Sequence, residues 1–319
     1  MQHSSLRAFF ANLFDYAGLF PPAKLPLETS IQNYAAYRLS QDAWMLGRFI
    51  IPASRLNELD PYISLFSKNN RLTCAVLGRR SADAASCLEG LRADLALIDS
   101  FCERHGAAVD VGVLELPLPP SAPDPALLEA ISASVSKKGM EVFLEVTVPL
   151  EGDWQNEMAA TLEAVSEHNV SKGTTLGIKL RTGGLTAAAF PTPAQVAAVL
   201  VGCRDRNIPI KFTAGLHHPV RMYRDEVGTR MHGFLNVYTA GLLAHTENLT
   251  QSMTEEILSE ESPSGFSFAN DRLAWKAYSI SAEEIARLRS TALRSYGTCS
   301  FDEPRDDLIA LKIFTPGGG

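Results

Sequence analysis

Gly177-Ile178-Lys179-Leu180-Arg181-Thr182-Gly183-Gly184 and Pro209-Ile210-Lys211-Phe212-Thr213-Ala214-Gly215 decide how this chain is read. Each is a short apolar run of strand length that meets a lysine and then a small, glycine-containing turn. Between them, Thr192-Pro193 opens a stretch of helical periodicity that runs to Arg206, with a capping residue ahead of a proline at the first helical position. Strand, helix, strand in that order is a βα unit, and it predicts two parallel neighbouring strands.

The same alternation extends outward in both directions. Strand-length runs at 13–20, 47–51, 71–77, 108–116, 141–148, 176–180, 209–213 and 233–238 make eight. Helical periodicity fills 27–39, 54–66, 82–104, 125–136, 153–168 and 192–206, and 221–230 with 239–258 supply the last two helices. Eight such units predict an α/β fold, a (β/α)8 TIM barrel over residues 1–254, with a C-terminal helical extension over 255–319 packed on it. That extension would also serve as an oligomerisation element, so a homo-oligomer is compatible with the sequence.

Composition narrows the function classes. A hydrophobic fraction of 46% and a charged fraction of 20% describe an ordinary globular chain. The net charge of −7, with no run of Lys or Arg longer than two, argues against nucleic acid as a partner. The start of the chain lacks a secretory pattern and no apolar stretch reaches membrane-span length, so a cytoplasmic protein with no membrane partner is expected. Cys74, Cys87, Cys102, Cys203 and Cys299 form no C-x-x-C pair and read as free thiols. No Gly-x-Gly-x-x-Gly follows the first strand and no Gly-x-x-x-x-Gly-Lys-Ser/Thr occurs, so no nucleotide cofactor is expected and a small-molecule substrate is the partner to look for.

Only nine lysines occur, and two of them end very apolar strands. At a barrel mouth an ammonium is partly desolvated and faces a second cation; both effects lower its pKa and expose the neutral amine that attacks a carbonyl. Lys179-Leu180-Arg181-Thr182-Gly183 and Lys211-Phe212-Thr213-Ala214-Gly215 resemble the strand-six and strand-seven motifs of deoxyribose-phosphate aldolases. Leu13-Phe14-Asp15 and Val109-Asp110-Val111 resemble that family's strand-one and strand-four motifs. The resemblance implies a class I carbon–carbon lyase in which Lys179 forms the Schiff base and Lys211 depresses its pKa. It also implies proton relay by Asp110 and a looser proton-network role for Asp15. Arg181, whose planar fork suits a carboxylate or phosphate, is a candidate substrate contact together with Thr182, Gly183, Gly215, Glu145 and Asn236. Glu145 stands where the family has a strand-five lysine, and Asn236-Val237-Tyr238-Thr239 replaces its phosphate-binding Gly-x-Ser-Ser.

His217-His218, after strand seven, has no counterpart in those aldolases. His217 fits a general acid or base at a barrel mouth, and His218 a substrate contact. Asp15, Asp110, Glu115 and Glu145 all fall in apolar strand runs. A carboxylate of this set together with His217 or His218 would also suit a metal-dependent lyase, isomerase or hydrolase. A barrel that binds a small molecule without chemistry is the third reading.

Overall fold

A computed structural model describes residues 3–316. Its centre is a closed barrel of eight parallel strands: β1 Phe14–Tyr16, β2 Leu46–Pro52, β3 Leu72–Leu77, β4 Val109–Pro117, β5 Glu141–Glu145, β6 Gly177–Arg181, β7 Ile210–Thr213 and β8 Leu293–Thr298. Around the sheet the order is β1-β8-β7-β6-β5-β4-β3-β2, so the expected TIM-barrel fold is present.

Helices α1 Ser4–Phe10, α2 Leu27–Tyr37, α3 Ala84–His105, α4 Pro125–Val135, α5 Trp154–Lys172, α6 Pro193–Asp205 and α7 Phe234–Thr246 lie outside the sheet, followed by α8 Gln251–Leu258, α9 Ala282–Thr291 and α10 Asp302–Ala310. The caps read from the sequence do their work: Asp124 accepts from Leu127 N at 2.7 Å, and Thr192 forms a reciprocal capping box with Gln195. Among the described residues, no helix is long and apolar enough to cross a membrane.

Four expectations are corrected. Residues 233–238 begin helix α7, which is buried on nearly every side, and the eighth strand is Leu293–Thr298. The barrel therefore does not end at residue 254, and the stretch from 255 to 316 is not an appendage: it supplies the strand that closes the barrel. The stretch between β2 and β3 is a 3-10 segment over Ala53–Leu65 with Pro61 inside it, not an α-helix. Residues 221–230 form a hairpin, Met222–Arg224 with Thr229–Met231.

The chain between α8 and β8 packs against α1 near the N-terminal end of the barrel, where a pocket lined by Asp15, Arg289 and Ser295 stays open. A three-stranded antiparallel sheet, Phe266–Phe268, Arg272–Trp275 and Tyr278–Ser281, meets α1, where the Phe9 and Phe268 rings stand 5.4 Å apart edge to face. Buried Arg289 on α9 donates to the carbonyls of Phe9, Ala11, Leu293 and Arg294, which ties α1 to β8. Inside the barrel Ala17, Ile50, Ala75, Val113 and Phe143 form a separate apolar layer. The ionisable side chains of the barrel interior are placed around this layer.

Candidate active site

Parallel register sets the site. Glu145 on β5 is paired with Lys179 on β6, and Lys179 with Lys211 on β7, so three ionisable side chains stand in a row across adjacent strands. Glu115, two residues before the end of β4, reaches the same point. Its Oε2 is 2.6 Å from Lys179 Nζ and its Oε1 is 2.5 Å from Lys211 Nζ. Lys179 also donates to Glu145 Oε2 at 2.7 Å, and Lys211 to Asp15 Oδ2 at 2.8 Å. Asp15 is completed by Arg48 N at 2.6 Å and Ser295 Oγ at 2.6 Å. A continuous chain, Glu145–Lys179–Glu115–Lys211–Asp15, thus runs down the interior, and all five residues are buried. The Lys179–Glu115 contact is an ion pair without hydrogen-bond alignment, which leaves Glu115 Oε2 an acceptor with no hydrogen-bonding partner among the described residues.

The electrostatics follow from this pairing. Burial pushes the Glu115 carboxyl up, but the charges of Lys179 and Lys211, with the hydrogen bond from Lys211, outweigh it and hold its pKa down to about 2. For Glu145 burial acts the same way, and Lys179, with help from Arg181, again wins and lowers it. Burial opposes the Lys211 ammonium, yet Asp15 and Glu115 overcome it, so Lys211 is raised above the ordinary lysine value. The expected role of Lys211 as a bare cation repelling its neighbour is corrected accordingly: two carboxylates stabilise its charge, and it serves to hold Glu115 in place.

These shifts make a pH prediction. A carboxyl whose pKa falls from 4.5 when unfolded to about 2 when folded contributes stability that is present above pH ~4.5 and lost as pH falls through about 2. For Glu115 the contribution is roughly 3 kcal/mol. Urea unfolding midpoints should therefore drop steeply between pH ~5 and ~2 in the wild type, and a flat profile there would contradict the charge chain.

A cavity of about 350 Å³ opens above the chain at the C-terminal ends of the strands, the face where such barrels carry their sites. Lys179, Glu115 and Glu145 form its floor, and Arg80, Arg181, Gly215, His217 and Cys299 are among the residues of its wall. Lys211 and Asp15 lie beneath it. Asp15 therefore acts on the cavity only through Lys211, not as a substrate contact.

Several predicted site residues are placed elsewhere. Asp110 is at the N-terminal end of β4, in register with Thr73, five residues and on the order of 15 Å from Glu115, so it takes no part. Thr182 is buried and donates to Ala214 O at 2.6 Å, stapling the turn after β6 to that after β7. Gly183 lies inside this staple, where a Cβ would sit 2.9 Å from the Gly215 Cα. Neither lines the cavity. Asn236 is on α7, where it donates to the carbonyls of Ile257 and Glu260 and accepts from Arg221 N, a structural lock on the loop after β7. Gly215 does line the cavity, at φ +77°, and an added Cβ would meet Gly183 Cα at 2.8 Å and Thr182 O at 2.9 Å. Gly215→Ala is expected to cost about 1–3 kcal/mol, read as a lowered urea midpoint.

The histidines separate in role. His217 lines the cavity, with its Nδ1 3.3 Å from Glu303 Oε2 and 3.8 Å from Cys299 Sγ. Burial lowers its pKa, but Cys299 and Glu303 outweigh that and raise it to about 9. His218 faces away and pairs with Asp307 at 2.6 Å. Helix α10 thereby docks on the loop after β7. The expected metal set of a histidine with Glu145 or Asp15 does not assemble, since those carboxylates bind lysines and the histidines bind α10. Among the described residues, no group of three or more His, Cys, Asp or Glu is placed to hold a metal ion.

Sequence reasoning missed Arg80 and Cys299, and it weighed Glu115 only as one strand carboxylate among four. The available signal for Glu115 was its place near the end of an apolar run, beside Pro117.

No family model matches this chain, and a comparison with curated proteins gives no match. One similar solved structure is a "putative alpha-L-fucosidase" from Bacteroides thetaiotaomicron, at 7% identity and a TM-score of 0.44, covering 69% of this chain and 76% of that one. A likeness of that degree carries no argument about chemistry.

Proposed function

We propose that this barrel is an enzyme, a carbon–carbon lyase that binds a small polar carbonyl compound through a Schiff base at Lys179. The observation that carries the reading is one buried amine on the cavity floor, in direct contact with two carboxylates and backed by a second buried lysine. The resemblance of its strand-six and strand-seven motifs to class I aldolases supports the same assignment.

The residues supply each proton the reaction needs. Glu115 or Glu145 takes a proton from the Lys179 ammonium, and the freed amine adds to the carbonyl carbon. The adduct's oxygen takes one proton from the nitrogen to become the carbinolamine hydroxyl, then receives the carboxyl's proton and leaves as water, which yields the iminium ion and restores the carboxylate. When the bond between the α and β carbons breaks, its electron pair moves toward the iminium to give an enamine, and the β hydroxyl loses its proton to a floor carboxylate and becomes the carbonyl of the departing fragment. That carboxyl then returns the proton to the enamine carbon, and water hydrolyses the iminium to free Lys179. Lys211 is a positioning residue that fixes Glu115 between the two amines.

The test is borohydride reduction in the presence of small aldehydes and ketones, followed by mass spectrometry. The expected result is a single reduced adduct in the peptide containing Gly177–Arg181. An adduct only at surface lysines, or none with any carbonyl compound, would leave a binding barrel without this chemistry.

A further inference from the structure

The cavity wall carries more positive donors than its own carboxylates use. Arg80 follows β3 and Arg181 ends β6, so the two guanidiniums approach the opening from different sides of the barrel. Each reaches the same atom: Arg80 Nη2 is 3.3 Å and Arg181 Nη1 is 3.4 Å from Glu145 Oε1. These are long contacts for charge-assisted bonds, which close to about 2.7–2.9 Å. Oε2 of the same carboxylate is already held by Lys179 at 2.7 Å. Neither guanidinium makes another hydrogen bond among the described residues, so most of the five N–H donors of each fork remain unspent.

We infer that Arg80 and Arg181 form the anion-binding end of the cavity, and that the substrate is a small aldehyde or ketone bearing a carboxylate or phosphate remote from its carbonyl. The inference rests on the Schiff-base reading for the carbonyl end. Depth gives the orientation: the Arg80 and Arg181 side chains are 65% and 42% exposed and Lys179 4%, so the carbonyl points to the floor and the anion to the opening. Charge gives the sign. Among the described residues, the opening sets the two guanidiniums of Arg80 and Arg181 against the single carboxylate of Glu145, whose other oxygen is already held by Lys179.

The experiment compares matched carbonyl compounds in borohydride trapping: succinic semialdehyde against butyraldehyde, and glyceraldehyde 3-phosphate against glyceraldehyde. The charged member of at least one pair should reach half-maximal trapping at about tenfold lower concentration, and which pair does so separates carboxylate from phosphate. In Arg80→Gln/Arg181→Gln the ratio of charged to neutral half-maximal concentrations should fall to about one, whatever the change in trapping common to both members of a pair. Equal trapping of charged and neutral members in the wild type, or an advantage that survives in the double variant, overturns the inference. If nothing traps, the Schiff-base reading fails separately. Calorimetric titration with succinate and inorganic phosphate then decides the anion site: binding lost in the double variant supports it, and no binding in the wild type overturns it.

Discussion

Lys179→Arg should reduce the borohydride-trapped adduct to background while leaving the protein folded. Arginine keeps a cation between Glu115 and Glu145 but offers no amine that can be freed at neutral pH, so charge balance and nucleophilicity are separated. Lys179→Met should lose trapping to the same extent and also lose stability, since it leaves two buried carboxylates short of a counter-charge. The pair of variants matters because a loss in Lys179→Met alone could come from a collapsed floor. Undiminished adduct in Lys179→Arg, mapped to any other lysine, would remove Lys179 from the chemistry.

The second large effect is on stability. Glu115 is the group that touches both buried lysines, and Glu115→Gln should destabilise the fold by about 3–5 kcal/mol. The glutamine amide can still accept from one ammonium, but its NH2 then confronts the other, donor against donor. Lys211 would keep Asp15 and Lys179 would keep Glu145, so the cost falls short of full collapse. In the double variant Glu115→Gln/Lys211→Met the loss should deepen, because Asp15 is then buried without its lysine. Urea unfolding of the single and double variants measures both. The acid dependence below pH ~5 should also flatten in Glu115→Gln, since the group that carries much of it is no longer titratable. A single variant as stable as the wild type would mean that water, not Glu115, satisfies the lysines.

How much of this was legible in the sequence depended on how cleanly each element displays one face. The first seven strands are short apolar runs between turn signals, buried on both sides, and they were placed to within a few residues. The eighth, Leu293-Arg294-Ser295-Tyr296-Gly297-Thr298, carries Arg294 and Ser295 at the polar base of the barrel and follows α9 almost without a break, so it reads as a helix end. Its place was assigned to the start of α7, where eleven of thirteen residues are buried and no helical stripe is visible. In the site, Lys179, Glu145, Arg181, Gly215 and His217 were legible because each ends or follows a strand on the C-terminal face. Asp110 was chosen over Glu115 by motif resemblance, although the far end of a nine-residue strand is what reaches the cavity. Arg80 gave no signal, because a loop arginine acquires meaning only from what stands opposite it.

Closure by the eighth strand bears on how the molecule is made. β8 pairs with both β1 and β7, yet seventy-nine residues lie between the end of β7 at Thr213 and the start of β8 at Leu293. During synthesis at ~5–20 residues per second, that gap lasts about 4–16 s. Throughout it, seven strands can pair only as an open sheet, with the unsatisfied backbone of β1 on one side and of β7 on the other. Such edges are templates for pairing with another nascent chain. The contact that seals them is among the most distant in sequence, so it carries a high loop-closure entropy and comes late. The same long-range pairing that completes the cavity floor sets the period during which this protein most needs a chaperone.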